Sequence, residues 1–85
     1  MWPEWWDWEL ELSPHLWKRM EDRRFTEVDL RTMLSRAMAI RADVVPGRWV
    51  AATRFRKADW EIILEPDEGG RILVVITAYP TEANS

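Results

Sequence analysis

Trp60-Glu61-Ile62-Ile63-Leu64-Glu65, Pro66-Asp67-Glu68-Gly69-Gly70 and Arg71-Ile72-Leu73-Val74-Val75-Ile76-Thr77-Ala78-Tyr79 read as strand, loop and strand, and this hairpin decides the fold. Both flanks are rich in β-branched and aromatic residues, and the middle segment is made of turn formers. Ile72 to Ile76 is apolar on both faces, so the last strand is expected at the centre of a sheet. Glu61 and Glu65 alternate with Trp60, Ile62 and Leu64, which puts the carboxylates on a solvent face and leaves an acid-pair hydrolase little claim. Upstream, Arg48 to Arg56 makes a further strand, joined through a tight turn at Lys57-Ala58-Asp59 and preceded by the turn signal Pro46-Gly47. Pro80 ends the last strand, and residues 81–85 form a polar tail.

Two helices are expected before this meander. Ser13 is a good N-cap with Pro14 at the first helical position, which predicts a helix from Pro14 to about Arg23 with Leu16, Trp17 and Met20 on its apolar side. Thr26 and Asp29 have the spacing of a capping box, and Phe25 and Leu30 that of a hydrophobic staple. The helix they open is expected to carry Val28, Leu30, Met33, Leu34, Ala37, Met38 and Ile40 on a broad apolar face through about residue 41. Before both helices, Trp5 to Leu12 alternates with period two, with Trp6, Trp8, Leu10 and Leu12 on one face. That pattern predicts a half-buried strand. The fold class expected is therefore α+β, a two-layer β-α-α-β-β-β arrangement with two helices packed on one face of an antiparallel sheet. The first strand has two courses open to it: pairing with the meander, or pairing with another copy of the chain as a homodimer.

Size and composition narrow the function. A chain of 85 residues is one domain and buries only about 60–65% of its unfolded surface, so its core is thin. It has no cysteine and a single histidine, which excludes disulfide staples and ordinary zinc spacing. Phosphate-binding glycine loops and a nucleophile elbow are also missing from the sequence. The start of the chain has neither the basic region nor the apolar run of a signal peptide or membrane span; the reading is a cytoplasmic protein with no membrane partner. The net charge of −3 is unevenly spread: residues 1–12 hold Glu4, Asp7, Glu9 and Glu11 with no base, leaving the remainder at +1. No acid falls between positions 44 and 58, where Arg48, Arg54, Arg56 and Lys57 form a basic stretch suited to holding phosphates. The plain alternative is a solvated hairpin.

The lone histidine is the sharpest chemical clue. His15 falls in the first turn of the first helix with Arg19 one turn on, and a helix N-terminus disfavours imidazolium, which suits a proton acceptor. Its ordinary reading is a polar first-turn residue. In the last strand, Val75, Thr77 and Tyr79 are expected to share one face, and near the strand end the two hydroxyls can serve a phosphate or orient a base. Arg54, near the end of a neighbouring strand, can stabilise developing negative charge.

His15-Leu16-x-x-Arg19-Met20-x-x-Arg23, Phe25-Thr26-Glu27-Val28-Asp29-Leu30, the Trp60-to-Asp67 strand and Leu73-Val74-Val75-Ile76-Thr77-Ala78-Tyr79 together resemble small domains of unknown function allied to the barnase, EndoU, colicin D and RelE group. The resemblance runs from about Ser13 to Pro80; the tryptophan-rich start lies outside it, and its acids oppose RNA approach from that side. It implies helices followed by a four-stranded antiparallel sheet and a metal-independent ribonuclease of toxin type that needs no cofactor, with tRNA or mRNA and a cognate antitoxin as partners. By that likeness His15 and Arg19 match the helical pair and Thr77 and Tyr79 the last-strand hydroxyls, while Arg54 matches only loosely. His15 would take the ribose 2′-hydroxyl proton, the arginines would stabilise the phosphorane, and Tyr79 or a water would protonate the leaving oxygen. Arg48, Arg56 and Lys57 are the expected RNA contacts.

Two other classes stand beside this reading. Trp2, Trp5, Trp6 and Trp8 mark a partner surface, which makes the chain a non-catalytic interaction or oligomerising module. Alternatively Trp6 and Trp8 complete a small core while Trp5 covers an edge. The basic and aromatic interleaving of Trp49, Arg54, Phe55 and Arg56 would also suit RNA binding without catalysis.

Overall fold

In the computed structural model, which describes residues 2–81, the C-terminal hairpin forms from β4 (Ala58–Asp67) and β5 (Ile72–Pro80). Their antiparallel register sets Glu61 opposite Tyr79 and Ile63 opposite Thr77, then slips by one residue at Ile63/Leu64. That bulge leaves Leu73, Val75 and Ala78 on the core face and Thr77 and Tyr79 on the other, so Val75 does not share their face as strict alternation along the last strand had it. β3 (Trp49–Phe55) pairs with β4 through a two-residue turn at Arg56 and Lys57, one position earlier than the turn expected at Lys57-Ala58-Asp59. Both turn residues have positive φ, the backbone of a type I′ hairpin that matches the strand twist.

Both helices begin where their caps dictate. α1 (Pro14–Arg23) starts at Ser13, whose Oγ accepts the Leu16 N–H at 3.0 Å. α2 (Glu27–Ser35) starts at a complete capping box: Asp29 N–H donates to Thr26 Oγ1 at 3.1 Å, and Thr26 N–H to Asp29 Oδ2 at 2.9 Å. Phe25 and Leu30 are buried as the staple requires. α2 ends at Ser35, six residues short of the expected limit, and the chain turns into β2 (Ala39–Ala42), antiparallel to β3. The apolar run from Ala37 to Ile40 satisfies either period over so short a length, and a free edge of β3 offers it ladder hydrogen bonds. Val28, Met38 and Trp17, all expected on apolar helix faces, are instead exposed.

The N-terminal segment divides in two. Glu4–Asp7 forms a 3₁₀ turn after Pro3, and only β1 (Glu9–Leu12) is extended, with Leu10 and Leu12 half-buried. The turn reorders the aromatic rings, so that Trp5 is the buried tryptophan and Trp6 and Trp8 pack at the margin. β1 pairs parallel to β5 within the chain, which makes the sheet mixed, with order β1-β5-β4-β3-β2. The architecture is α+β, with both helices on one face of this five-stranded sheet. α1 rests against β5 and α2 against β3. Between the layers, Phe25 and Phe55 meet the edge of Trp60 at 5.3 and 5.7 Å, while Leu16, Leu30 and Met33 are fully buried. Thr53, also fully buried, donates to the Met33 carbonyl at 2.6 Å and ties the last turn of α2 to β3. Of the expected polar tail only Thr81 is described; its N–H donates to Asp59 O, and residues 82–85 lie outside the described residues.

Candidate functional site

The sheet has one face turned from the helices, and strand alternation decides what it carries. Residues next to the core positions Ala51, Thr53, Trp60, Ile62 and Ala78 point the other way, placing Arg54, Glu61, Thr77 and Tyr79 on this open face. Val50 and Ile63 are also on it and are nonetheless buried, at 2% and 8% exposure, because Arg41, Glu65 and Thr77 surround them in the register. The result is a small apolar centre beneath a layer of polar side chains.

At one end of this layer the Tyr79 hydroxyl donates to Glu61 Oε1 at 2.9 Å, and Arg41 Nη2 donates to Glu61 Oε2 at 3.2 Å. Burial, then the hydrogen bond to Glu61 and that carboxylate's charge, raise the Tyr79 phenol above its ordinary value, with Arg41 pulling the other way. A phenol that holds its proton more tightly and already donates it to a carboxylate must surrender that bond before serving a leaving oxygen. Glu61 and Arg41 are the two members of this triad that sequence reasoning missed. The alternation along β4 put Glu61 on the solvent face, yet only the β4–β5 register sets it opposite Tyr79. Arg41 was hidden in the segment read as helix.

His15 and Arg19 lie elsewhere. His15 is exposed in the first turn of α1, and among the described residues no hydrogen bond or salt bridge joins it to Arg19, Thr77 or Tyr79. Arg19 Nη1 instead donates to Asp22 Oδ2 at 3.0 Å. Two other α1 groups reach β5. Ser13 Oγ donates to the Ile76 carbonyl at 2.7 Å, and Arg23 Nη1 to the Ala78 carbonyl at 3.0 Å. These bonds satisfy the stretch of β5 edge that β1 is too short to cover. The structure thus brings Arg54, Thr77 and Tyr79 onto one face and leaves His15 and Arg19 on a helix packed against the opposite face.

The basic stretch is matched by acids from other elements. Arg48 Nε donates to Glu65 Oε1 at 2.9 Å, Arg54 Nη1 to Asp59 Oδ1 at 2.8 Å, and Arg56 lies 3.7 Å from Asp29 with its guanidinium 4.6 Å from the centre of the Phe55 ring. Lys57 is exposed in the hairpin turn. A phosphate approaching these arginines competes with a carboxylate already in place, a competition invisible while the stretch is read alone. Glu9 and Glu11 extend the acidic character of the open face along β1.

A second surface runs along β2, which ends the sheet. Trp2 stacks on Trp6 at 4.8 Å and lines a shallow cleft with Met38, Ala39 and Ile40. Trp2, Met38, Val44 and Val45 are four of the six large apolar side chains exposed among the described residues, with Met38 at 60% and Val44 at 93%.

Among the described residues there is no group of three or more acids, histidines or cysteines placed to hold a metal, and no helix long and apolar enough to cross a membrane. No family model, curated protein or solved structure matches the chain.

Proposed function

We propose that the chain is a non-catalytic protein-interaction module that receives a partner strand on the edge of its sheet. The observation that carries this reading is the concentration of exposed apolar side chains around β2, whose outer side is the end of the sheet. An unpaired edge offers a row of N–H and C=O groups to an incoming strand, and neighbouring apolar side chains supply the burial that holds it. β1, the other edge, is differently equipped: Glu9 and Glu11 are exposed along it and Asp7 precedes it, which guards it against addition. The interaction surface is therefore placed at β2 rather than at the N-terminal strand itself, with Trp2 contributing from the side.

A metal-independent endoribonuclease of toxin type, with RNA and an antitoxin as partners, is the second reading. Its support is that Arg54, Thr77 and Tyr79 share the open face; its weakness is that His15 has no polar tie to them and each nearby guanidinium has a carboxylate partner. Incubation of the purified, folded chain with tRNA and mRNA in EDTA separates the two. The interaction reading expects intact RNA. Cleavage that is abolished by Tyr79→Phe or His15→Ala replaces it with the nuclease.

A further inference from the structure

We propose that the cleft between the N-terminal 3₁₀ turn and the β4–β5 loop binds a small zwitterion, with an ammonium and a carboxylate on one apolar body as in a free amino acid. The cleft stands at the start of β1, the sheet edge opposite β2, and is separate from the surface assigned to a partner strand.

Parallel pairing builds it. β1 begins with Glu9 beside Ile72, so one step back along both strands Trp8 comes alongside Arg71. The 3₁₀ turn packs against β5 and carries Glu4 and Trp5 to the same loop. Glu4, Trp5, Trp8, Glu68 and Arg71 line a cavity of about 260 Å³. Pockets for drug-sized ligands run to roughly 300–1,000 Å³, so this one suits a smaller molecule.

The lining divides by chemistry. Trp5 is buried and Trp8 half-buried, which makes the indoles the inner wall, while Glu4, Glu68 and Arg71 are exposed at the mouth. Neither carboxylate lies within salt-bridge distance of the Arg71 guanidinium. Arg48, Arg54 and Arg56 each meet an acid directly, whereas Arg71 shares an opening with two acids and pairs with neither. Unlike charges held apart over an aromatic wall complement a molecule that carries both signs.

Simpler ligands fit less well. A metal ion needs more donors, and among the described residues no three acids converge. An organic cation suits the carboxylates and the indole faces but is repelled by Arg71, and an anion meets the reverse. A zwitterion sets its ammonium on Glu4 and Glu68, its carboxylate on the guanidinium fork of Arg71, and its apolar part on the indoles. The backbone adds a separate mark. In Gly69-Gly70-Arg71 the arginine, and neither glycine, takes a left-handed φ, at 55°. The loop thus holds a guanidinium where a glycine would sit without strain, and such strain is characteristic of ligand sites.

Nuclear magnetic resonance of the full chain tests this, following the Trp8 indole N–H and the Arg71 amide as L-phenylalanine or L-leucine is added into the millimolar range. Saturable shifts at both groups are expected with at least one of the two. The N-acetyl derivative, which lacks the ammonium, and the amide, which lacks the carboxylate, are each expected to bind about tenfold more weakly. Arg71→Gly is expected to raise the thermal midpoint by relieving the backbone, yet to weaken the free amino acid about tenfold without weakening the amide. Glu4→Gln combined with Glu68→Gln is expected to weaken the free amino acid without weakening the N-acetyl derivative, with circular dichroism confirming the fold. Absence of saturable shifts with both amino acids overturns the proposal, as does full affinity in Arg71→Gly. An amide that binds as tightly as the free amino acid also overturns it, and makes the cleft a cation site.

Discussion

Tyr79 shows how one side chain here draws its properties from three strands. Its hydroxyl donates to Glu61 on β4, and Glu61 in turn accepts from Arg41 on β2. Because burial and Glu61 raise its pKa in the folded state, the native protein holds the phenolic proton more tightly than the unfolded chain does. That contribution to stability is fully present below the usual phenol value of about 10 and is lost as pH rises through the higher folded value. Urea unfolding followed across the alkaline range should show stability falling there, and Tyr79→Phe should flatten that fall while costing about 1 kcal/mol at neutral pH for the lost hydrogen bond. Tyr79 was legible as a functional candidate because it is the only tyrosine and alternates with Thr77. Its partners were not, since a register between two strands is written in no single segment.

Among the elements, the caps were the most legible. Ser13, Pro14, Thr26 and Asp29 act on backbone groups within three residues, so their effect is contained in the sequence window that shows them. The end of α2 was not, because a pairing with β3 decides the fate of Ala39 to Ala42. The β3–β4 turn carries a local conflict of its own. Arg56 and Lys57 adopt φ values of 54° and 64° without a glycine or asparagine, a conformation costly for ordinary L-residues. Relieving it at Lys57→Gly is expected to stabilise the protein by about 0.5–1 kcal/mol, visible as a rise of several degrees in Tm. A fall in Tm would show that the Lys57 side chain stabilises the hairpin by other means.

For the molecule as a whole, the N-terminal tryptophans complete a thin core. Trp5 is buried, 5.7 Å from Trp49 on β3, and joins the cluster formed by α1, α2 and the sheet. Removing it in Trp5→Ala is expected to cost about 3–5 kcal/mol, a large share of the stability of so small a domain, and chemical denaturation should show a much lower midpoint. Trp2→Ala, at a half-exposed ring, should change that midpoint far less.

The amino-acid sequence by itself determined the two helices and their starting points, the three strands of the meander between about Arg48 and Tyr79, and an α+β class with helices on one face of a sheet. It also marked Thr77 and Tyr79 as sharing one side of the last strand. Only the tertiary structure decided that β1 runs parallel to β5, that β2 is a strand, that Trp5 rather than Trp6 is buried, and that Arg48, Arg54 and Arg56 each face a carboxylate. The division follows the range of the forces involved. Caps, turns and hydrophobic period act between residues a few positions apart, whereas strand order, register and ion pairing depend on which distant segments burial of the common core brings together.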